Sequence, residues 1–344
     1  MDYYGVIGSG NFGTAMANVM ALNGKVLIYV RRQEVYDNIL HKRFNRGQTM
    51  HANVQPTMSL EEVANKCKLI VPLVPSSNFR EMIQKAAPFL TPEHILVHGT
   101  KGLDIQLPTN PTTEKAIPLR REYIHTMCDI IQQESVVIRV GCLSGPNLSK
   151  EIANNEPTAT VVASRFDEVI EQGKQALKGS MFRVYGSHDV LGIELAGVLK
   201  NIMAIGAGML RGLNFGENSK AMLISRGLGE MIKLGKALGA DTSAFLGVAG
   251  VGDLVATCSS QLSRNHTVGY RLAKGENLDT IVEDMNQVVE GIKTVKIAKG
   301  ISMFYHLELP IVEGLYRVLY EGDSISNCMN YLMSHGFDKD VDFY

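Results

Sequence analysis

The most chemically loaded residue of this chain is Lys200, which stands inside the run Gly192 to Gly208, a helical pattern apolar on nearly every side. Burying a charged amine among such residues is expensive. Its helical neighbours at three and four positions, Gly197, Ala196, Met203 and Ala204, are mostly small and leave room for a ligand beside it. A desolvated lysine of this kind can exchange a proton near neutral pH; a lysine that snorkels to solvent is the alternative. Downstream, Gly250-Val251-Gly252-Asp253 supplies an acid, and Ser263-Arg264-Asn265 supplies a guanidinium flanked by a hydroxyl and an amide. Arginine in that company suits a phosphate monoester, though an arginine alone also fits an ordinary surface. Upstream, Lys101 sits between glycines in Gly99-Thr100-Lys101-Gly102, as either a loop lysine in water or a ligand-facing one.

A second constellation opens the chain. Tyr3 to Ile7 is a short β-prone run that passes directly into Gly8-Ser9-Gly10-Asn11-Phe12-Gly13 and then into helix-forming residues. This is the G-x-G-x-x-G spacing in its informative setting of strand, tight turn and helix start. Gly8 permits the turn, Gly10 lets the backbone approach a pyrophosphate, and Gly13 lets the helix lie close on the strand. The helix start offers N–H groups to the bridging phosphates. Dinucleotide binding follows. The next strand, Lys25 to Val30, ends in Arg31-Arg32, where an acidic residue would favour NAD and an arginine accommodates the extra phosphate of NADP. NADP or NAD is therefore expected, with NADP accepted.

The elements that must hold these residues alternate strand and helix through the first half. Lys68 to Pro75, His94 to His98, Val136 to Val140, Ala159 to Ala163 and Phe182 to Tyr185 read as strands, and Asn78 to Phe89 as a helix. That pattern predicts a Rossmann-type doubly wound sheet with ligands beyond the strand ends, where the loops carrying Lys101 and Ser144 to Lys150 emerge. From Asp189 the periodicity is helical almost to the end. The boundary is placed near residue 188, giving a dinucleotide-binding domain (1–188) and an all-helical substrate-binding domain (189–344). Thr109 to Gln133 carries no chemistry and reads as a surface excursion.

At 344 residues the chain suits two domains. A formal net charge of −1, without a basic run longer than a pair, argues against nucleic acid as partner. The five cysteines are dispersed without metal-ligand spacing, which suggests reduced thiols and a cytoplasmic setting. The first residues run straight into a strand, so no signal peptide is expected, and the last four carry no peroxisomal address. Ile193 to Leu210, interrupted by Glu194, Lys200 and Asn201, reads as a buried helix rather than a membrane span.

Together these stretches resemble the bacterial-type NAD(P)-dependent glycerol-3-phosphate dehydrogenases. GSGNFGTA, VPS, TKG, SGP, FRVY, GVLKNIMAIGAGM, GLNFGENSKAMLISRGLGEM, GVGDLVATC, SRN and QVVEG occur in family order nearly end to end. The resemblance implies reversible hydride transfer between nicotinamide and carbon 2 of glycerol 3-phosphate, in the service of phospholipid synthesis, by a homodimer. It assigns proton transfer to Lys200, substrate orientation to Lys101, and support of both Lys200 and the substrate to Asp253, with Thr257 nearby. Ser263, Arg264 and Asn265 would take the phosphate, and Gly145 and Asn147 match further substrate positions. Asn11, Phe12, Arg31, Arg32, Lys101, Ser149, Arg264, Val288 and Glu290 match cofactor positions beside the three glycines. No metal is implied, because the nicotinamide carries the chemistry.

Three features depart from the family pattern. Asn45-Arg46-Gly47-Gln48-Thr49-Met50-His51 replaces an Asn-x-x-x-Leu-Pro loop, so contacts there are not carried over. Thr109 to Gln133 is longer than usual, and Asn147 replaces a Thr or Ser. A ketopantoate or β-hydroxyacid dehydrogenase shares this architecture, but a carboxylate substrate has no need of Ser263-Arg264-Asn265. A dinucleotide sensor without turnover has no need of Lys101, Lys200 and Asp253.

Overall fold

The computed structural model describes residues 3–108, 115–285 and 289–334. The chain forms two compact units, Met1–Asp104 with Thr126–Glu194, and Ile105–His125 with Leu195–Tyr344. The division therefore differs from a single cut near residue 188 in two places. It falls inside the Val190–Gly212 helix, and it assigns Ile105–His125 to the helical unit.

The first unit is built on an eight-stranded sheet: β1 (Tyr3–Ile7), β2 (Lys25–Tyr29), β3 (Val54–Thr57), β4 (Cys67–Pro72), β5 (Ile95–His98), β6 (Arg139–Ser144), β7 (Thr158–Ser164) and β8 (Phe182–Ser187). The spatial order is β8-β7-β6-β5-β4-β1-β2-β3. Pairing is parallel from β3 through to β6; β7 runs antiparallel to β6, and β8 is parallel to β7. The sheet is thus Rossmann-type over six strands, with a reversed pair added at one edge. Its central strands are buried on both faces and apolar, with Val6, Ile28, Val71, Ile95 and Val97 packed in one core.

One strand expectation shifts, and one strand was not expected. The run Val136 to Val140 lies mostly before β6, with Val136 and Ile138 exposed, and the buried strand begins at Arg139. The edge strand β3 went unread because Pro56 lies in it, and an edge is where a sheet tolerates proline.

In the helical unit, Leu119 and Ile124 are buried, the Leu119 N–H donates to the Gly300 carbonyl, and the Ala116 N–H donates to the Tyr316 hydroxyl. This part of the Thr109 to Gln133 segment is therefore packed rather than a surface excursion; residues 109–114 lie outside the described residues. Its continuation, the Met127–Glu134 helix, buries Met127, Ile130 and Ile131 in the first unit. The Val190–Gly212 helix is long and apolar enough to cross a membrane by length and composition, but 89% of its apolar window is buried inside the protein, as befits a core helix.

Candidate active site

The glycine turn has the geometry its spacing demands. Gly8 has φ +126°, and a Cβ there would meet the Leu73 carbonyl oxygen at 2.4 Å. At Gly13 a Cβ would stand 1.9 Å from the Gly8 carbonyl oxygen, so only glycine lets the helix approach. Gly10 differs: it is extended, exposed, and a Cβ there would meet nothing within 4 Å. Two of the glycines make the turn compact and the third leaves a bare backbone face beside the start of the Asn11–Met20 helix. That cradle fits the pyrophosphate of a dinucleotide.

Asn11 is exposed at the helix start, and Phe12 is half-buried against the core. A Cβ on Gly99 would come within 3.0 Å of the Phe12 ring. Arg31 and Arg32 are both exposed just beyond β2, with Arg32 preceding the Gln33–Lys42 helix. At the ends of β5 and β6, the Lys101 amine donates to the Gly145 carbonyl at 3.4 Å. Gly145 has φ +157°, where a Cβ would clash with the Ala159 carbonyl oxygen at 2.7 Å. Asn147 donates to Thr160 Oγ1 at 2.9 Å, which leaves its Oδ1 buried without a hydrogen-bond partner; Ser144 Oγ is in the same state. Unsatisfied buried acceptors at a strand end are expected where a ligand supplies donors. Ser149 begins the short Ser149–Ala153 helix.

In the helical unit, Lys200 and Asp253 are 5% and 1% exposed. The Lys200 amine donates to Asp253 Oδ1 and, at 2.6 Å, to Thr257 Oγ1, and the Thr257 hydroxyl donates to Asp253 Oδ1 at 3.2 Å. The local sequence explains the acid's position. Val248–Gly252 is a π-helical turn that leads into the Asp253–Ser259 helix, and a Cβ on Gly250 would strike the Phe245 carbonyl oxygen at 2.1 Å. Such turns re-aim side chains at functional positions. Asp253 and Thr257 are then one helical turn apart on one face. Cys258 is buried beside them, and burial pushes its thiol up to about 12, against the opposing pull of the Lys200 charge.

Ser263 caps the Arg264–Ala273 helix, its Oγ accepting from the His266 N–H at 3.3 Å. Arg264 stands at the first position of that helix; its residue surface is exposed, but partial desolvation of the guanidinium holds it below its usual value, against the opposing pull of the Glu290 carboxylate. Asn265 is turned inward: its amide donates to Asn201 Oδ1 at 2.9 Å, and its Oδ1 accepts from the Gly291 N–H at 3.0 Å. Glu290 opens the Glu290–Tyr305 helix, whereas Val288 lies outside the described residues. The network of Asn201, Asn265 and Gly291 was missed at the level of sequence. Its one signal was a second polar residue next to Lys200 in an apolar helix.

A further group escaped the spacing rules. His98, Cys128 and Glu194, all buried in the first unit, bring ligand-type atoms within 4.8 Å of one another, with His98 Nε2 and Glu194 Oε1 at 2.8 Å. The Cys128 N–H also donates to that carboxylate, so Glu194 already serves as a structural acceptor.

A nucleotide-type sheet with this glycine turn, in one chain with a helical unit holding a buried lysine and aspartate, defines a nicotinamide-dependent oxidoreductase of the two-domain class. Residues 4–170 match the profile of the NAD-dependent glycerol-3-phosphate dehydrogenase N-terminus, and residues 189–330 that of its C-terminus. The chain belongs to the NAD-dependent glycerol-3-phosphate dehydrogenase family. It is 40% identical over 343 residues to the glycerol-3-phosphate dehydrogenase [NAD(P)+] of Pseudomonas aeruginosa strain LESB58, covering 98% of this chain and 96% of that one. A crystal structure of glycerol-3-phosphate dehydrogenase from Coxiella burnetii superposes with a TM-score of 0.85 at 28% identity, covering 97% of this chain and 99% of that one. A ketopantoate reductase from Ralstonia eutropha JMP134 shares the fold alone, at TM-score 0.55 and 14% identity over 92% of this chain and 97% of that one. The ketopantoate alternative is not favoured.

Proposed function

We propose that this chain catalyses the reversible NAD(P)-dependent reduction of dihydroxyacetone phosphate to sn-glycerol 3-phosphate, and so supplies glycerophospholipid synthesis. The observation that carries the reading is the buried set of Lys200, Asp253 and Thr257. An ammonium shielded from bulk water and aimed by a carboxylate and a hydroxyl is a positioned proton source, and carbonyl reduction needs such a source at the oxygen.

The bound reduced nicotinamide supplies the hydride. Lys200 gives a proton to the carbonyl oxygen in reduction and takes it back in oxidation, while Asp253 and Thr257 fix the direction of the amine. Lys101 orients the substrate from the loop beyond β5, near Gly145 and Asn147. Arg264 grips the phosphate from the first turn of its helix, with Ser263 shaping that turn. Asn265 acts there through its backbone position, since its side chain is bound to Asn201 and Gly291. Phosphate binding remote from the reacting carbon supplies orientation, which hydride transfer needs more than affinity. Gly8, Gly10, Gly13, Asn11, Phe12, Arg31, Arg32 and Ser149 hold the nucleotide from the first unit, and Glu290 and Val288 are assigned to it by family position. The family resemblance supports a cytoplasmic homodimer.

The test is oxidation of NADPH and NADH with dihydroxyacetone phosphate by the wild type and by Lys200→Ala. The variant is expected to keep nucleotide binding and to lose about a hundredfold or more in kcat, the usual scale of general acid catalysis. A loss under tenfold, or wild-type turnover of ketopantoate in place of the triose phosphate, overturns the reading.

A further inference from the structure

Residues Phe44–Asn45 and Gln48–Thr49 form a two-stranded hairpin whose turn, Arg46-Gly47, has φ of +52° and +77°. Two positive values in a two-residue loop are the pattern of a tight, right-twisted hairpin. Asn45 keeps the asparagine of the Asn-x-x-x-Leu-Pro loop while Thr49-Met50 replace its Leu-Pro, and the resemblance carries over no contact at this loop.

This hairpin is stitched to the glycine turn and the helix after it. The buried Asn45 amide donates to the Ser9 carbonyl at 3.0 Å and to Thr14 Oγ1 at 2.8 Å. The Gln48 amide donates to the Asn11 carbonyl at 3.2 Å. Asn18 returns the contact, donating to the Thr49 carbonyl at 2.9 Å and accepting from the His51 N–H at 2.9 Å.

We propose that Asn45 is a positioning residue for dinucleotide binding, setting the orientation of the peptide between Ser9 and Gly10. In a trans peptide the carbonyl and the N–H point to opposite sides. Holding the Ser9 oxygen toward Asn45 therefore aims the Gly10 N–H away from the hairpin, on the residue whose Cα face is open. That N–H is the donor a bridging phosphate would meet. The same amide fixes Thr14, whose hydroxyl donates to the Gly10 carbonyl at 2.8 Å, so both peptide groups flanking Gly10 are held from one side chain. Without Asn45 the turn must be ordered anew each time the nucleotide binds, which weakens affinity and leaves chemistry alone.

The inference rests on the proposed nucleotide site and is tested separately from it. Reduced nicotinamide fluorescence, excited at wavelengths where protein side chains do not absorb, reports binding directly. Asn45→Ala is expected to bind NADPH and NADH about three- to thirtyfold more weakly, with kcat and the KM for dihydroxyacetone phosphate within about twofold of wild type. Asn45→Asp, equal in shape but unable to donate, is expected to be at least as weak. Asn23→Ala is the control: Asn23 also donates to two carbonyls, of Ala176 and Lys178, away from the turn, and its loss leaves nucleotide affinity unchanged. Equal affinities for Asn45→Ala and Asn23→Ala, or wild-type affinity in Asn45→Asp, overturn the proposal. Should Asn45→Ala fail to fold, the near-isosteric Asn45→Asp decides alone, and wild-type nucleotide affinity there overturns the proposal. A wild type that binds neither nucleotide refutes the underlying site instead, and the inference with it.

Discussion

Removal of the Asp253 carboxylate tests the central pair most directly. Lys200 and Asp253 are almost wholly excluded from water, so their attraction repays a large desolvation cost only while both charges are present. Asp253→Ala keeps the buried amine and deletes its counter-charge, which costs about 3–5 kcal/mol when a buried pair is broken. At about 2–4 °C per kcal/mol for a domain of this size, the expected fall in Tm is roughly 6–20 °C. Replacing both partners, as Lys200→Met with Asp253→Leu, removes the desolvation cost together with the attraction. It should bring Tm back to within about 4 °C of wild type. Activity behaves differently: the single variant loses about a hundredfold in kcat, and the double variant is inactive. The assay is thermal unfolding by circular dichroism at pH 7.5 alongside NADPH oxidation. If Asp253→Ala unfolds within about 2 °C of wild type, or the double variant is as unstable as the single one, the pair is not held as buried charges and the reasoning fails.

Other consequences are checked by similar means. Gly10→Ala should fold with Tm within about 2 °C of wild type yet raise nucleotide KM about tenfold or more, because its Cβ enters the open face; Gly13→Ala should lose about 1–3 kcal/mol of stability as well, and equal behaviour of the two would remove the distinction. Arg31→Asp and Arg32→Asp should shift the ratio of KM values for NADPH and NADH by about tenfold in at least one variant, and unchanged ratios in both would clear these residues of nucleotide choice. His266 is held below the usual imidazole range by burial and by the Arg211 and Lys220 charges. The folded state therefore takes up its proton at lower pH than the unfolded chain does, and its contribution to stability, full above about pH 6.5, is lost as pH falls. Tm of His266→Asn should accordingly drop less between pH 7 and pH 5 than that of wild type, and parallel curves would refute the assignment.

Much of the site was legible because it is local. Strand, glycine turn and helix start follow one another within the first twenty residues, and each is dictated by short-range rules. Lys200 announced itself by contrast with an apolar helical run, and the 3.6-residue period marked the later part of the chain as helical. What the sequence left open depends on residues brought together from afar. Nothing local assigns Ile105–His125 to the helical unit; that follows from contacts such as Leu119 with Gly300. Strand direction is equally non-local, so β7 could run against β6 without any mark in its own residues.

By itself the sequence determined the glycine turn, the helical character of the later part of the chain and the lysine set inside it, because glycine spacing and hydrophobic period are properties of neighbours along the chain. The closure of Asp253 and Thr257 on Lys200 across more than fifty residues was expected from the family resemblance, but only the tertiary structure gives its hydrogen bonds. It alone turned Asn265 inward to Asn201 and Gly291, and brought Asn45 against Ser9. Hydrogen bonds between distant side chains depend on how whole elements pack, and that packing is settled by the core rather than by the residues that make the bond.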